Sequence, residues 1–385
     1  MNRQHILSRL AQRRWPVTYS TGPLAMWQRG SEQWRAAPWF STCESRDGVQ
    51  VEVPGKALAR WPRVAPYDRF VTRRHTAALL DQAQCAPHDA IAYIFHPSLH
   101  DVAAAMQCRW TVYHAYDVFA QQPDWSDELA LAQEALLREA DLVIASGTSI
   151  ADALRGAGAD RVTILPNGAD AQAFAAAADQ PCPPDLAVIP RPRIGYIGNL
   201  NRKVDFAAVA AVARSRPDWH WVMVGPVPSD GSAAPANDPQ IAAAFRDCQE
   251  LPNVHFLGNK PHTELPGYAA HIDVNTICYR TDPGWWNAAA PLKLHEYLAT
   301  GRPVVSIDLS DLRAFADVVS FVRSPVGWVD AIAAALAERS PQAAERRRRT
   351  ARANSWDRRV DQLESHLERM IEPADTQPSA RCARG

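Results

Sequence analysis

The 385-residue sequence has no apolar run long enough to cross a bilayer, and no signal-peptide pattern at its first residues. It has no excess of one charge: 41 basic and 42 acidic side chains give a net charge of -1. A global basic field for binding nucleic acid is therefore absent. Its seven cysteines, Cys43, Cys85, Cys108, Cys182, Cys248, Cys278 and Cys382, are scattered and odd in number, and none forms a CxxC pair. A reduced, cytoplasmic setting fits this better than a disulfide framework or a zinc site. There is no short internal repeat, which argues against a solenoid.

What is present is an ordinary globular composition, 47% apolar and 22% charged, in a chain too long for one core. An amphipathic helix is predicted over Asn2–Arg14, with Ile6, Leu7, Leu10 and Ala11 on one face. A strand follows at Val17–Thr21, then a Trp-, Pro- and Arg-rich stretch in which only Val49–Val53 reads as a strand. From Phe70 onward helices and strands alternate, with strands at Ala90–Phe95, Trp110–Tyr113, Leu142–Ala145 and Val162–Leu165. The prolines between Pro181 and Pro192 mark a linker. A second series has strands at Arg193–Ile197, Trp219–Val224, Val254–Leu257, Val274–Tyr279, Pro303–Ile307 and Ser320–Val322. Strand–helix alternation implies a parallel, doubly wound sheet in each half. The expected division is 1–180 for the first domain, 181–192 for the linker, 193–345 for the second domain, 346–371 for a helix returning to the first, and 372–385 for a disordered tail.

Three strand ends carry candidate chemistry, because ligands of such sheets bind where loops and helix N-termini converge. The loop after Arg193–Ile197 contains Gly198 and Asn199, followed by Arg202 and Lys203. A glycine there lets backbone approach a ligand, and the two cations suit phosphate. The segment Asn287-Ala-Ala-Ala-Pro291-Leu-Lys293-Leu-His-Glu296 enters a helix with Pro291 at its first position. Lys293 then falls in the first turn, where the dipole disfavours a cation unless an anion such as a diphosphate binds. Glu296 follows on nearly the same face and suits the two hydroxyls of a ribose. In the first half, His114 and Asp117 follow the Trp110–Tyr113 strand, placed to bind an acceptor hydroxyl or take its proton. Each has an ordinary alternative: a tight turn, a surface Lys–Glu pair, a capping aspartate.

Taken together the pieces resemble the GT-B glycosyltransferases, particularly the bacterial branch near glycosyltransferase family four. The resemblance rests on Gly195-Tyr-Ile-Gly198, Asp205, Pro217-Asp-Trp219, Val224-Gly225-Pro226, Leu251-Pro-Asn253-Val254, Glu264-Leu-Pro-Gly-Tyr268, Pro291-Leu-Lys293-Leu-His-Glu296-Tyr297 and Pro303-Val-Val305-Ser306. The first half adds Ala140-Asp141-Leu-Val143 and Leu165-Pro166-Asn167-Gly168-Ala-Asp170. It implies two facing Rossmann-like domains with a cleft between them, the second holding a nucleotide-diphosphate sugar and the first a saccharide or lipid-linked acceptor. Such enzymes generally use neither metal nor cofactor, and no DxD motif contradicts that here. Members typically carry Glu-x7-Glu before the donor helix. Here the second glutamate matches Glu296, while Ala288 stands at the first position, beside Asn287.

The expected function is sugar transfer for a surface polysaccharide or glycolipid. An epimerase or hydrolase on the same fold, and a non-catalytic partner subunit, are the alternatives. Arg9, Arg13, Arg14, Arg29 and Arg35, with Trp27 and Trp34, make a cytoplasmic membrane face a candidate contact. Finally, relatives begin with a strand, whereas this sequence begins with helix pattern. The first strand of the N-terminal domain is expected to be missing, with Val17–Thr21 equivalent to the second strand and the true start upstream.

Overall fold

The second half builds its sheet from β8 (Arg193–Ile197), β9 (His220–Val224), β10 (Val254–Gly258), β11 (Val274–Ile277), β12 (Val304–Ile307) and β13 (Ser320–Val322). The computed structural model describes residues 2–228, 237–282, 284, 286, 291–324 and 326–372. All neighbouring strands in this sheet are parallel, in the order β10-β9-β8-β11-β12-β13. Chain order reverses between β8 and β11, and such a switch point opens a crevice at the strands' carboxyl ends. The strands read as continuous apolar runs because helices cover both faces. Ile194, Tyr196, Val222, Val224, Val274 and Val305 are all fully buried. Trp219 and Trp221 are buried in the same core.

The first half differs from a single doubly wound sheet. One sheet contains β1 (Thr18–Tyr19), β2 (Thr42–Arg46) and β3 (Val49–Val53) in the order β1-β3-β2. A second, fully parallel, contains β4 (Ile91–Ile94), β5 (Trp110–Ala115), β6 (Leu142–Ala145) and β7 (Thr163–Ile164) in chain order. The strand expected at Val17–Thr21 thus pairs with β3 and not with β4. The first described element is the Asn2–Gln12 helix. Two cores line the β4–β7 sheet. Alternate residues of β5 and β6 point to each: Tyr113 and Val143 to one, Val112 and Ile144 to the other.

Several boundaries depart from expectation for physical reasons. The helix read from Phe70 starts at Ala65, because Pro66 occupies its first turn, where its missing N–H costs nothing. The single returning helix expected over 346–371 is two helices, Pro341–Ala353 and Trp356–Ile371. Ser355 breaks it: its hydroxyl accepts the Arg358 amide as an N-cap. The first piece stays on the second domain; Arg347 there donates to the Gly301 carbonyl. The second crosses back, burying Trp356, Val360, Leu363 and Leu367 with Ile6 and Leu10 of the first helix. The passage from the first domain is earlier than the prolines imply, since Ala171 and Phe174 already belong to the second core. The proline segment is pinned to that domain: Asp185 accepts from Lys260 Nζ at 2.6 Å and from Tyr268 Oη at 2.7 Å. The tail expected to be disordered lies, beyond Glu372, outside the described residues.

Candidate donor and acceptor site

The switch point is built from glycine and tyrosine. β8 ends at Ile197, whose amide donates to Tyr297 Oη at 2.8 Å; this fixes the Lys293–Thr300 helix against the strand end. Gly198 follows with φ of +140°, a conformation side chains rarely adopt. A Cβ there would sit 2.7 Å from Lys293 Nζ. Gly225, also at φ +140°, packs on it so tightly that a Cβ would fall 2.2 Å from the Gly198 carbonyl oxygen. Gly198 is thus required by its backbone conformation and Gly225 by close approach as well, and the second keeps the first in place.

Onto this loop the protein lays two lysines over a tyrosine floor. Lys293 Nζ lies 3.9 Å from the Tyr196 ring centroid and 5.2 Å from that of Tyr279. Lys203 Nζ lies 5.1 Å from the Tyr279 centroid. The rings stabilise the cations through their quadrupoles. Burial outweighs this: it pushes Lys203 down to about 8, against the attraction of Asp117. Burial also lowers Lys293 well below its usual value, and Lys203 adds repulsion. Among the described residues, no carboxylate forms an ion pair with Lys293. Two half-buried cations converging on one spot create a local field that favours an anion.

Glu296, three residues along the same helix, is 7% exposed. Burial raises its carboxyl to about 7 despite Lys293 nearby. His262 Nε2 stands 3.8 Å from its Oε1. The His262 ring in turn lies 5.3 Å from that of His5 on the first helix, and His5 stacks on Trp356 at 5.2 Å. Desolvation lowers both histidines, His5 to about 3, so burial favours the neutral form of each ring. His5 reads in the sequence as a loop or structural histidine, and His262 escaped the sequence reading because it is a lone histidine in an unremarkable loop pattern. Tyr196 and Tyr279 escaped it because strand residues read as core.

Across the cleft stands Asp117. Its carboxylate accepts the Val118 amide at 2.9 Å and Gln122 Nε2 at 2.7 Å. Burial raises it, and Lys203 from the other domain pulls it down, so the two domains are in electrostatic contact here. His114 does not share this position. It is 1% exposed, with Nδ1 at 2.8 Å from Tyr93 Oη and Nε2 at 3.1 Å from Ser146 Oγ. The expectation that it faces an acceptor is corrected: both ring nitrogens are used inside the sheet, and burial lowers it to about 3. Arg202 also points away, its guanidinium 3.5 Å from Asp238 at the cap of the Pro239–Glu250 helix. Asn199 is exposed at the loop tip, where its carbonyl accepts from Tyr196 Oη at 3.3 Å. Asn287 and Ala288 lie outside the described residues. The structure thus brings together Gly198, Lys203, Lys293, Glu296 and Asp117, and leaves His114 and Arg202 apart.

The match to known proteins falls on this arrangement. Residues 191–338 match the family described as Glycosyl transferases group 1. This is a group 1 glycosyl transferase domain in a GT-B chain. The group 1 domain holds Gly198, Lys203, Lys293 and Glu296; Asp117 lies outside it. Over 209 residues the chain is 29% identical to the putative teichuronic acid biosynthesis glycosyltransferase TuaH of Bacillus subtilis, covering 52% of this chain. The match spans about half, 49%, of that relative's length. Among solved structures, sucrose-phosphate synthase from Thermosynechococcus elongatus superposes with a TM-score of 0.72 at 17% identity, covering 96% of this chain and 92% of that one. The UDP-forming trehalose-phosphate synthase of Burkholderia xenovorans gives 0.67 at 13% identity, covering 96% and 97%. Anabaena HepE in complex with UDP and glucose gives 0.61 at 18% identity, covering 83% and 86%. At these identities the structural likeness establishes the GT-B fold.

Proposed function

We propose that this protein transfers a sugar from a nucleotide-diphosphate donor, held by the group 1 domain, to a saccharide or lipid-linked acceptor presented by the first domain. The observation that carries this is the pair Lys203 and Lys293 over Tyr196 and Tyr279, beside Gly198 at the switch point. The lysines neutralise the diphosphate as it leaves, without a metal ion or cofactor. Their effect is largest in the transition state, where that charge grows. Glu296 accepts hydrogen bonds from the ribose hydroxyls. Asp117, with a raised carboxyl pKa, holds or deprotonates the acceptor hydroxyl. Sugar transfer for a surface polysaccharide or glycolipid fits the similarity to TuaH, and a nucleotide-diphosphate donor fits the Anabaena structure, which holds UDP and glucose.

The test is a thermal-shift screen of nucleotide sugars, followed by calorimetry and turnover with the donor that stabilises most. Lys293→Ala is expected to cut turnover at least tenfold. Asp117→Asn is expected to cut transfer while leaving donor affinity unchanged. Full activity of Lys293→Ala, in the presence of a chelator or not, overturns the lysine role. Nucleotide release without any acceptor dependence assigns hydrolysis instead.

The acceptor side supports a place at the cytoplasmic membrane face. Trp27, Trp39, Phe40, Trp61 and Phe70 are 44–77% exposed within a segment, 27–74, that carries nine basic against five acidic residues. No helix among the described residues is long and apolar enough to cross a membrane. Of the five arginines read in the sequence, Arg29 and Arg35 lie in this segment, whereas the other three are paired elsewhere. Arg9 donates to Asp357 at 2.9 Å, Arg13 pairs with Asp361 at 2.8 Å and with Glu364, and Arg14 pairs with Glu368, all on the last helix. Trp34 packs with Leu24, Ala37 and Ala59.

A further inference from the structure

The Thr148–Gly156 helix of the first domain begins without a cap of its own. Gly147 holds the N-cap position and has no side chain to accept the free amides of the first turn. The acceptor comes from the other domain. Asp311 Oδ1 accepts the Ser149 amide at 3.1 Å and the Ser149 hydroxyl at 2.9 Å. Ser310 Oγ lies 3.0 Å from Ser149 Oγ. The turn that carries Asp311, Ser310–Phe315, does not use this carboxylate: its N-cap is Leu309, with no side-chain hydrogen bond. The second carboxylate oxygen, Oδ2, is buried and has no hydrogen-bond partner among the described residues. An unpartnered oxygen is costly, and the positive end of the helix dipole offsets part of that cost. Water therefore does not reach this side of the carboxylate, and the junction is a fitted contact between domains.

The junction lies on the cleft side of both sheets. Ser149 follows β6 and Asp311 follows β12, each beyond the carboxyl end of its strand. Asp117 likewise follows β5, which pairs in parallel with β6. Gly198 and Lys203 follow β8, in the parallel sheet that contains β12. The sheet orders set the two contacts apart. β6 is the neighbour of β5, and β12 is two strands from β8. At ~4.8 Å per strand, the Ser149–Asp311 junction is offset by about 5 Å across the first sheet and about 10 Å across the second. A single electrostatic contact, Asp117 with Lys203, leaves the domains free to rotate about it. A second contact on a different strand, directional and charge-assisted, opposes that rotation.

We propose that Asp311 is a positioning residue for sugar transfer: by capping the Thr148–Gly156 helix across the cleft, it clasps the two domains in the placement where Asp117 faces Lys203. It acts through that placement and not through contact with the reacting groups. Ser149 is its counterpart, since amide and hydroxyl of this one residue meet the same carboxylate oxygen. The effect on turnover rests on the sugar-transfer reading, whereas the clasp itself is measurable without any substrate.

The test compares Asp311→Ala and Ser149→Ala with Asp308→Asn in the full chain. Asp308 is a nearby carboxylate paired with Arg313 and Arg323 inside the second domain, so its variant controls for the lost charge. Amide exchange over residues 148–151 is expected to quicken about tenfold in Asp311→Ala, less in Ser149→Ala, and not in the control. Acylation of Lys203 by the N-hydroxysuccinimide ester of acetic acid, read by mass spectrometry, should quicken about threefold or more in Asp311→Ala, because the facing domain is released. Exchange in β8 and β12 should stay unchanged, which separates opening from unfolding. With the donor chosen by the thermal-shift screen, Asp311→Ala should lower turnover about tenfold while donor affinity holds. Faster exchange over 148–151 with unchanged Lys203 acylation makes Asp311 a local cap and overturns the proposal. Unchanged turnover in a variant that opens overturns the positioning role. If the unaltered chain turns over no donor, the sugar-transfer reading fails and the positioning role with it, while exchange and acylation still decide the clasp.

Discussion

Glu296 and Lys203 are set to exchange protons with a bound nucleotide in opposite senses. The Glu296 carboxyl is raised from its ordinary 4.5 to about 7, so folding favours its protonated form. Its contribution to stability is complete below about pH 4.5 and is lost as the pH rises through about 7. Ribose hydroxyls hydrogen-bonding to the carboxylate favour the charged form, so donor binding near pH 7 should release a proton. Lys203 is lowered to about 8, and the unfolded chain holds that proton more tightly, so its burden on stability is relieved as the pH rises above 8. A diphosphate restores the charged lysine, and binding near pH 8.5 should take a proton up. Calorimetry in two buffers of different ionisation enthalpy reads the sign directly. Lys293, also lowered by burial, adds uptake of its own, so the expected reading is a shift toward uptake from pH 7 to pH 8.5, with Glu296→Gln abolishing the release component at pH 7; an unchanged proton count would remove one of the two residues from the site. In the same experiments Glu296→Gln should weaken donor affinity about tenfold or more. A charge-assisted hydrogen bond is worth roughly 1.5–3 kcal/mol.

At the level of elements, the site depends on two strand-end turns fitting face to face. Gly225→Ala puts a methyl group into the Gly198 carbonyl and requires a disfavoured φ. It should cost about 1–3 kcal/mol in urea denaturation and also weaken donor binding, since the Gly198 loop must move. An unchanged midpoint would show that the loops separate freely. The last helix is tested by Trp356→Ala. Its side chain is 1% exposed, and truncation should cost about 3–5 kcal/mol. These elements also show what a sequence can and cannot display. The strands of the second domain are mostly apolar and were readable to within one or two residues, as at Arg193–Ile197 and Ser320–Val322. β2 was not, because all five of its residues are exposed and it has no apolar alternation to read. Lys293 and Glu296 were legible because a cation in a first helical turn conflicts with the dipole. The burial of His114 was not, because a histidine at a strand end looks the same whether its ring points into the sheet or out of it.

For the whole molecule, the exposed aromatics and arginines give the first domain a face of its own. Trp39→Ser with Phe40→Ser should reduce sedimentation with vesicles containing anionic lipid by about tenfold, and added salt should reduce it further. Binding that ignores both changes would place the membrane contact elsewhere or nowhere. The two domains meet through two passages of chain that lie side by side. Trp356 donates its amide to the Ala169 carbonyl at 3.0 Å, and Ala169 donates to Asn354 at 3.1 Å. Gly168 leaves no room between them: a Cβ would be 2.8 Å from the Trp356 nitrogen. Because outgoing and returning chain are stitched together, they act as the spine of a book rather than as two independent tethers. A hinge along that line would let the covers swing while opposing slide and twist, so that Asp117 and Lys203 would come back to the same facing position on closing.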